Sequence, residues 1–157
     1  MLTSVRAPWH WVSLGFGSGL SPWLPGTVGT WAGWVSYWWL TAWFTPEQFW
    51  WWWPWTLIFG VWCCHQTGLA LGVPDHGAIV WDEMVAFWLV LAFTPVNIGA
   101  QVAAFVLFRA FDMLKPPPIA WFDARWKNGF GVMWDDLLAA GMTLACLYGW
   151  QYGSSFF

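Results

Sequence analysis

Charge is distributed along this chain in a way that leaves few folds open. No Asp, Glu, Lys or Arg lies between Arg6 and Glu47, between Glu47 and Asp75, between Glu83 and Arg109, or beyond Asp136. A helix that crosses a bilayer needs about 20 predominantly apolar residues, and each of these gaps has room for at least one. The remaining charges crowd into 75–83 and 109–136. Hydrophobic residues make up 59% of the chain and charged residues 8%, with a mean hydropathy of +0.51. A soluble domain covers its surface with about 25% charged residues, so this chain has too little charge to coat a globule in water. It sits in lipid or is buried in a larger assembly, and the spacing favours lipid.

At 157 residues the length suits a single domain spanning 1–157. A formal net charge of -3 with no basic run argues against a nucleic-acid partner. Three cysteines, two of them the adjacent Cys63 and Cys64, make neither a disulfide framework nor a metal motif. Tryptophan is the oddity, with 20 residues. Trp38, Trp39, Trp43 and Trp50–Trp53 flank Glu47, as in an aromatic belt at a membrane interface. The excess beyond that belt has no explanation in the sequence.

The expected architecture is all-α: a polytopic membrane bundle of about five membrane helices, with an amino-terminal interfacial helix over 8–16. A Gly/Pro/Ser/Thr-rich loop covers 15–30, and the first membrane helix is expected at about 28–44. The second follows the turn 45–48 and runs over about 49–71, with Pro54 able to kink it. GVPDHG (72–77) breaks the chain before a third helix at about 79–93. A fourth at about 98–114 ends at PPP (116–118), a polar loop covers 119–134, and a fifth helix is expected at about 135–152.

Arg6 precedes the first helix, while Arg109, Lys115, Arg125 and Lys127 surround the connection after the fourth. Both places fall on one side, which the positive-inside rule makes cytoplasmic. The loops 15–27 and 72–78 and the starts of the third and fifth helices lie there too. Every residue of chemical interest therefore collects at one face.

Asp82 and Glu83 open the third helix, Asp112 lies near the end of the fourth, and Asp135 and Asp136 open the fifth. Carboxylates in apolar helices cost several kcal/mol unless paired or bound to a cation. Oxygen ligands from three helices suit magnesium, so Asp82, Glu83, Asp112 and Asp136 are the candidate metal ligands. A helix N-terminus by itself would attract four of these acids, but not Asp112, which lies where the macrodipole disfavours it. Arg109 lies three residues before Asp112 on one face, as an internal ion pair or as a bidentate phosphate ligand. Lys115 continues that face. His76 is either a general acid or a loop histidine. Ser18, Ser21, Thr27 and Thr30 belong to a Gly-rich loop whose backbone could cradle phosphate, or simply turn, and Ser18 and Thr27 are the candidates for contacting it.

GFGSGLSPWLPGTVGT, HQTGLALGVPDHGAIVWDE, FRAFDMLKPPPIAWFDARWKNGFGVMWDD and the LLAAG that follows, taken in order, resemble the phosphatidylglycerophosphatase A family over nearly the whole chain. The resemblance implies a multihelical, magnesium-dependent lipid phosphomonoesterase. Its substrate would be phosphatidylglycerophosphate, in bacterial phosphatidylglycerol and cardiolipin synthesis at the inner (cytoplasmic) membrane. It marks Asp82, Glu83, Arg109, Asp112, Lys115, Asp135 and Asp136. A phosphomonoester carries about two negative charges, so the metal, Arg109 and Lys115 would neutralise it while Glu83 or Asp135 orients water. The headgroup would enter from the cytoplasmic face with the acyl chains left in the bilayer.

Two other readings stand beside this one. A CDP-alcohol phosphotransferase would also use carboxylates on membrane helices, but its DG…AR…G…D…D signature is absent. A cation transporter would spread charge through the membrane depth, whereas these acids lie at one face.

Overall fold

The computed structural model describes residues 6–154, with side chains described through residue 151. Among the described residues there are helices and no strands. The helices are α1 (Pro8–Ser13), α2 (Pro25–Thr41), α3 (Pro46–Leu71), α4 (Trp81–Ala92), α5 (Ile98–Leu114), α6 (Ile119–Asp123) and α7 (Gly129–Ser154), with a 3-10 turn over Gly15–Leu20.

Local chemistry sets most boundaries. Thr45 caps α3 through a reciprocal capping box with Gln48, Pro46 occupies the first turn, and Gly72 ends the helix at φ 73°. Asn97 caps α5 by accepting from the Gly99 and Ala100 N–H groups. Lys115 ends α5 in the left-handed region, φ 43° and ψ 56°, immediately before Pro116. A non-glycine residue held there costs on the order of 1 kcal/mol, so its side chain must be well engaged.

α4 is the axis of the bundle. Trp81 through Trp88 are all buried, as are Val90 and Leu91, because α2, α3, α5 and α7 pack around it. A helix that is apolar all round belongs in such a position. α2 comes closest, because a side chain at Gly29 would run into Val80 Cβ. Trp indoles then tie the helices together. Trp88 Nε1 donates to Gly33 O at 2.9 Å, Trp53 Nε1 to Val85 O at 3.0 Å, and Trp34 Nε1 to Gln101 Oε1 at 2.8 Å. Part of the Trp excess is thereby accounted for: the ring fills space while its N–H satisfies a carbonyl on a neighbouring helix.

Three expectations shift. α2 begins at Pro25, so Thr27 and Thr30 are helical residues and not loop residues. The polar segment 119–134 contains α6 and the first turn of α7, which starts at Gly129. Asp135 and Asp136 therefore lie well inside α7 instead of opening it. Gly129 is buried with no space for a side chain beside Val61 O and His65, so close packing on α3 favours the earlier start.

Among the described residues one stretch, Gly129–Gln151, is long and apolar enough to cross a membrane. α2 and α5, at 17 residues each, reach about 25 Å, and α4, at 12 residues, about 18 Å, against a hydrocarbon core of about 30 Å. α3 has the length with 26 residues, but tryptophans fill much of its first half. Trp23, Trp39, Trp43, Trp51 and Trp55 are exposed on the outside of the bundle.

Candidate active site

The N-terminal ends of α2 and α4, the C-terminal end of α5 and the early turns of α7 meet at one end of the bundle. Two groups of charged side chains form there.

The first surrounds Arg109. Its Nη1 lies 3.0 Å from Glu83 Oε1 and 2.6 Å from Asp112 Oδ2. Thr30 Oγ1, on α2, lies 3.0 Å from Glu83 Oε2 and 3.3 Å from Arg109 Nη1. Asp136 of α7 rests against Asp112, and Asp82 and Glu83 are within electrostatic reach of it. Four carboxylates from three helices thus gather here, and two of them, Glu83 and Asp112, bind the one guanidinium.

The second surrounds Lys115. Its Nζ lies 2.9 Å from Asp123 Oδ1, 3.0 Å from Asp135 Oδ2 and 3.9 Å from Asp75 Oδ2. Lys127 Nζ reaches the other Asp123 oxygen at 2.9 Å. Burial disfavours charge on Lys115, yet the hydrogen bonds and charges of Asp123 and Asp135 outweigh it and raise its pKa above the ordinary value. Burial likewise works against Asp123, but the hydrogen bonds from Lys115 and Lys127 pull it down to about 2. The adjacent residues Asp135 and Asp136 therefore divide, one to each group.

The expected site residues are placed as follows. Asp82, Glu83, Arg109, Asp112 and Asp136 come together, and Lys115 and Asp135 form the neighbouring group. Lys115 has its ammonium committed to carboxylates. His76 Nδ1 accepts the Ala78 N–H at 3.1 Å, which leaves the proton of its neutral form on Nε2. Ser18 turns its hydroxyl to Gly15 O at 2.8 Å, a bond within its own turn. Thr27 occupies the first turn of α2, half-buried. Thr30, grouped in the sequence with loop hydroxyls, is the one that reaches the charged centre. The readable signal was its spacing: Gly26, Gly29, Thr30 and Gly33 make one small-residue face on α2.

Whether magnesium suits this place can be judged from the donors. Asp82 Oδ1 and Asp135 Oδ1 are buried with no hydrogen-bond partner, which is costly for a carboxylate that binds nothing. The donors are all oxygens, as a hard divalent cation prefers. Among the described residues no three His, Cys, Asp or Glu side chains stand close enough together to hold a metal ion as they are, so binding one would require these carboxylates to close on it.

The family model described as phosphatidylglycerophosphatase A matches residues 11–151. A phosphatidylglycerophosphatase A from Escherichia coli (strain K12) is 46% identical over 143 residues, covering 90% of this chain and 82% of that protein. One from Haemophilus influenzae is 42% identical over 151 residues, covering 95% and 92%. A protein of Bacteroides thetaiotaomicron, provisionally named a phosphatidylinositol-3-phosphatase, is 36% identical over 137 residues, covering 82% and 84%. No solved structure matches.

Proposed function

The chain belongs to the phosphatidylglycerophosphatase A family, and from that premise we propose that it hydrolyses the terminal phosphomonoester of phosphatidylglycerophosphate, leaving phosphatidylglycerol and phosphate. The observation that carries the reading is the convergence of Asp82, Glu83, Asp112 and Asp136 at one end of the bundle, with Arg109 bound between Glu83 and Asp112. An acidic centre with one guanidinium repels a phosphomonoester unless a cation is added, so the site calls for a metal as well as a lipid.

Asp82, Asp112 and Asp136 would hold magnesium, with Glu83 fixed beside them by Arg109 and Thr30; the metal when bound supplies positive charge to the phosphoryl oxygens and a more acidic water. Arg109 spends Nη1 on Glu83 and Asp112 but leaves Nε without a partner, a donor for a phosphoryl oxygen. Of the two carboxylates expected to orient water, Glu83 has both oxygens bonded, to Arg109 and Thr30. Asp135 has Oδ1 free while Lys115 grips Oδ2, so we assign it the attacking water's proton. His76, neutral with its N–H at Nε2, is assigned to donate a hydrogen bond to the leaving oxygen, which takes its proton from solvent. Lys115 acts through Asp135 instead of directly on phosphate.

Five spans, an amino terminus inside and a site at the cytoplasmic face complete the proposal. The exposed tryptophans and the long apolar α7 support it, with the short α4 enclosed by protein where lipid would not tolerate its flanking loop.

The test compares three substrates in detergent micelles: phosphatidylglycerophosphate, phosphatidylinositol 3-phosphate and soluble glycerol 3-phosphate. Purified protein is expected to release phosphate from the first at least about tenfold faster than from the others, a difference of about 1.4 kcal/mol in transition-state binding. Faster release from the inositol lipid would move the assignment toward the third relative's name. No release from any of them would end it.

A further inference from the structure

Thr30 has no exposed surface, and its hydroxyl stands between the two groups that join α4 to α5. Glu83 Oε1 takes Arg109 Nη1 at 3.0 Å, and Glu83 Oε2 lies 3.0 Å from Thr30 Oγ1. Arg109 Nη1 closes the ring at 3.3 Å from the same hydroxyl. A hydroxyl has one proton and two lone pairs, so Thr30 can accept from Arg109 while donating to Glu83. Gly26 O, 2.9 Å away and one turn earlier on α2, is the alternative acceptor for that proton.

Gly26 makes the arrangement possible. A Cβ at that position would collide with Glu83 Oε1 and lie 2.9 Å from Arg109 Nη2. α2 thus offers the ion pair bare backbone at one turn and a single hydroxyl at the next. Asp112, on the same Arg109 Nη1, and Asp136 beside it complete the surroundings.

We propose that Thr30 is a positioning residue for the hydrolytic reaction, holding the Glu83 carboxylate and the Arg109 fork in the one orientation that leaves Arg109 Nε turned to substrate. The inference rests on the phosphatase reading above. Thr30 acts through Glu83 and Arg109 and does not itself contact the lipid. Without the hydroxyl, Glu83 Oε2 loses its donor, the carboxylate can rotate, and the guanidinium can follow it. The packing of α2 on α4 would survive, because it depends on glycine spacing.

The experiment uses the full-length protein in detergent, with kcat, KM and thermal unfolding measured on each preparation. Thr30→Val keeps the branched shape and removes the hydroxyl. It is expected to lower kcat by about 10- to 100-fold with KM within about twofold, the pattern of a lost transition-state contribution. Thr30→Ser restores the hydroxyl and should return kcat to within about threefold of wild type. Gly26→Ala introduces a better helix former, so a drop in kcat with an unchanged or higher unfolding temperature places the defect at the ion pair. The latter two variants keep the test decisive if Thr30→Val fails to fold. Wild-type kcat in Thr30→Val, failure of folded Thr30→Ser to recover, or a rise in KM alone would each overturn the inference. Inactivity of the wild-type protein on phosphatidylglycerophosphate would strike the function reading instead.

Discussion

Lys115 Nζ lies 3.0 Å from Asp135 Oδ2 and 2.9 Å from Asp123 Oδ1, so one ammonium ties the end of α5 to α6 and to the buried part of α7. Replacing it leaves Asp135, buried at 4% exposure, without its cation. Lys115→Met is expected to destabilise the protein by about 2 kcal/mol, the cost of stranding a buried charged group. In a double-mutant cycle with Asp135→Asn, unfolding in detergent should give a coupling energy above about 1 kcal/mol. Additive effects would mean that the contact carries no energy.

The same cluster sets a pH dependence. Asp123 is held at about 2, below its ordinary 3.8, so its share of stability is complete above pH 3.8 and disappears as pH falls toward 2. Lys115 is raised above its ordinary 10.5, so its share is complete below that pH and is lost only in stronger alkali. The stability difference between wild type and Asp123→Asn should still be present at neutral pH. It should close between pH 3.8 and 2. Closure near neutrality would contradict the ion-pair geometry.

Asp136 rests against Asp112 with Asp82 and Glu83 nearby, an arrangement that repels itself without a cation. In EDTA, Asp136→Asn should therefore raise stability by about 1 kcal/mol while lowering turnover at saturating magnesium by at least about 100-fold. Thermal unfolding with and without magnesium checks both signs. Destabilisation in EDTA would show that Asp136 is a structural partner and not a ligand held in reserve.

Much of this was legible in the sequence. The stop of α3 and both ends of α5 follow from Gly72, Asn97 and the proline run after Lys115, all local signals, whereas the Thr45–Gln48 capping box starts α3 at Pro46, inside the stretch expected to be a turn. The gathering of acids at one end followed from counting helices between charges. Other features are tertiary. α7 extends back to Gly129 because that glycine packs on Val61 and His65, which no cap or period announces. The engagement of Lys115 by Asp123 and Asp135 depends on where α6 folds, and its spacing from Arg109 pointed to phosphate instead. Thr30 looked like a loop hydroxyl because the Gly- and Pro-rich run hid a helix start at Pro25.

Sidedness can be read with cysteine labelling in a Cys146→Ser background, since Cys63 and Cys64 are buried and Cys146 is exposed. Glu47→Cys, in the first turn of α3, should react with an impermeant maleimide added to intact cells. Lys127→Cys, whose native side chain is 53% exposed, should react only after the membrane is opened. Labelling of position 127 from outside would invert or break the proposed topology.

The most direct measurement is phosphate release from phosphatidylglycerophosphate by purified protein in magnesium, in EDTA, and after magnesium is restored, with Asp112→Asn in parallel. Wild type should turn over in magnesium, stop in EDTA and recover, while Asp112→Asn stays folded and nearly inactive throughout. Hydrolysis that continues undiminished in EDTA, or near-normal turnover by Asp112→Asn at saturating magnesium, would contradict the assignment of this carboxylate cluster as a metal-dependent phosphatase site.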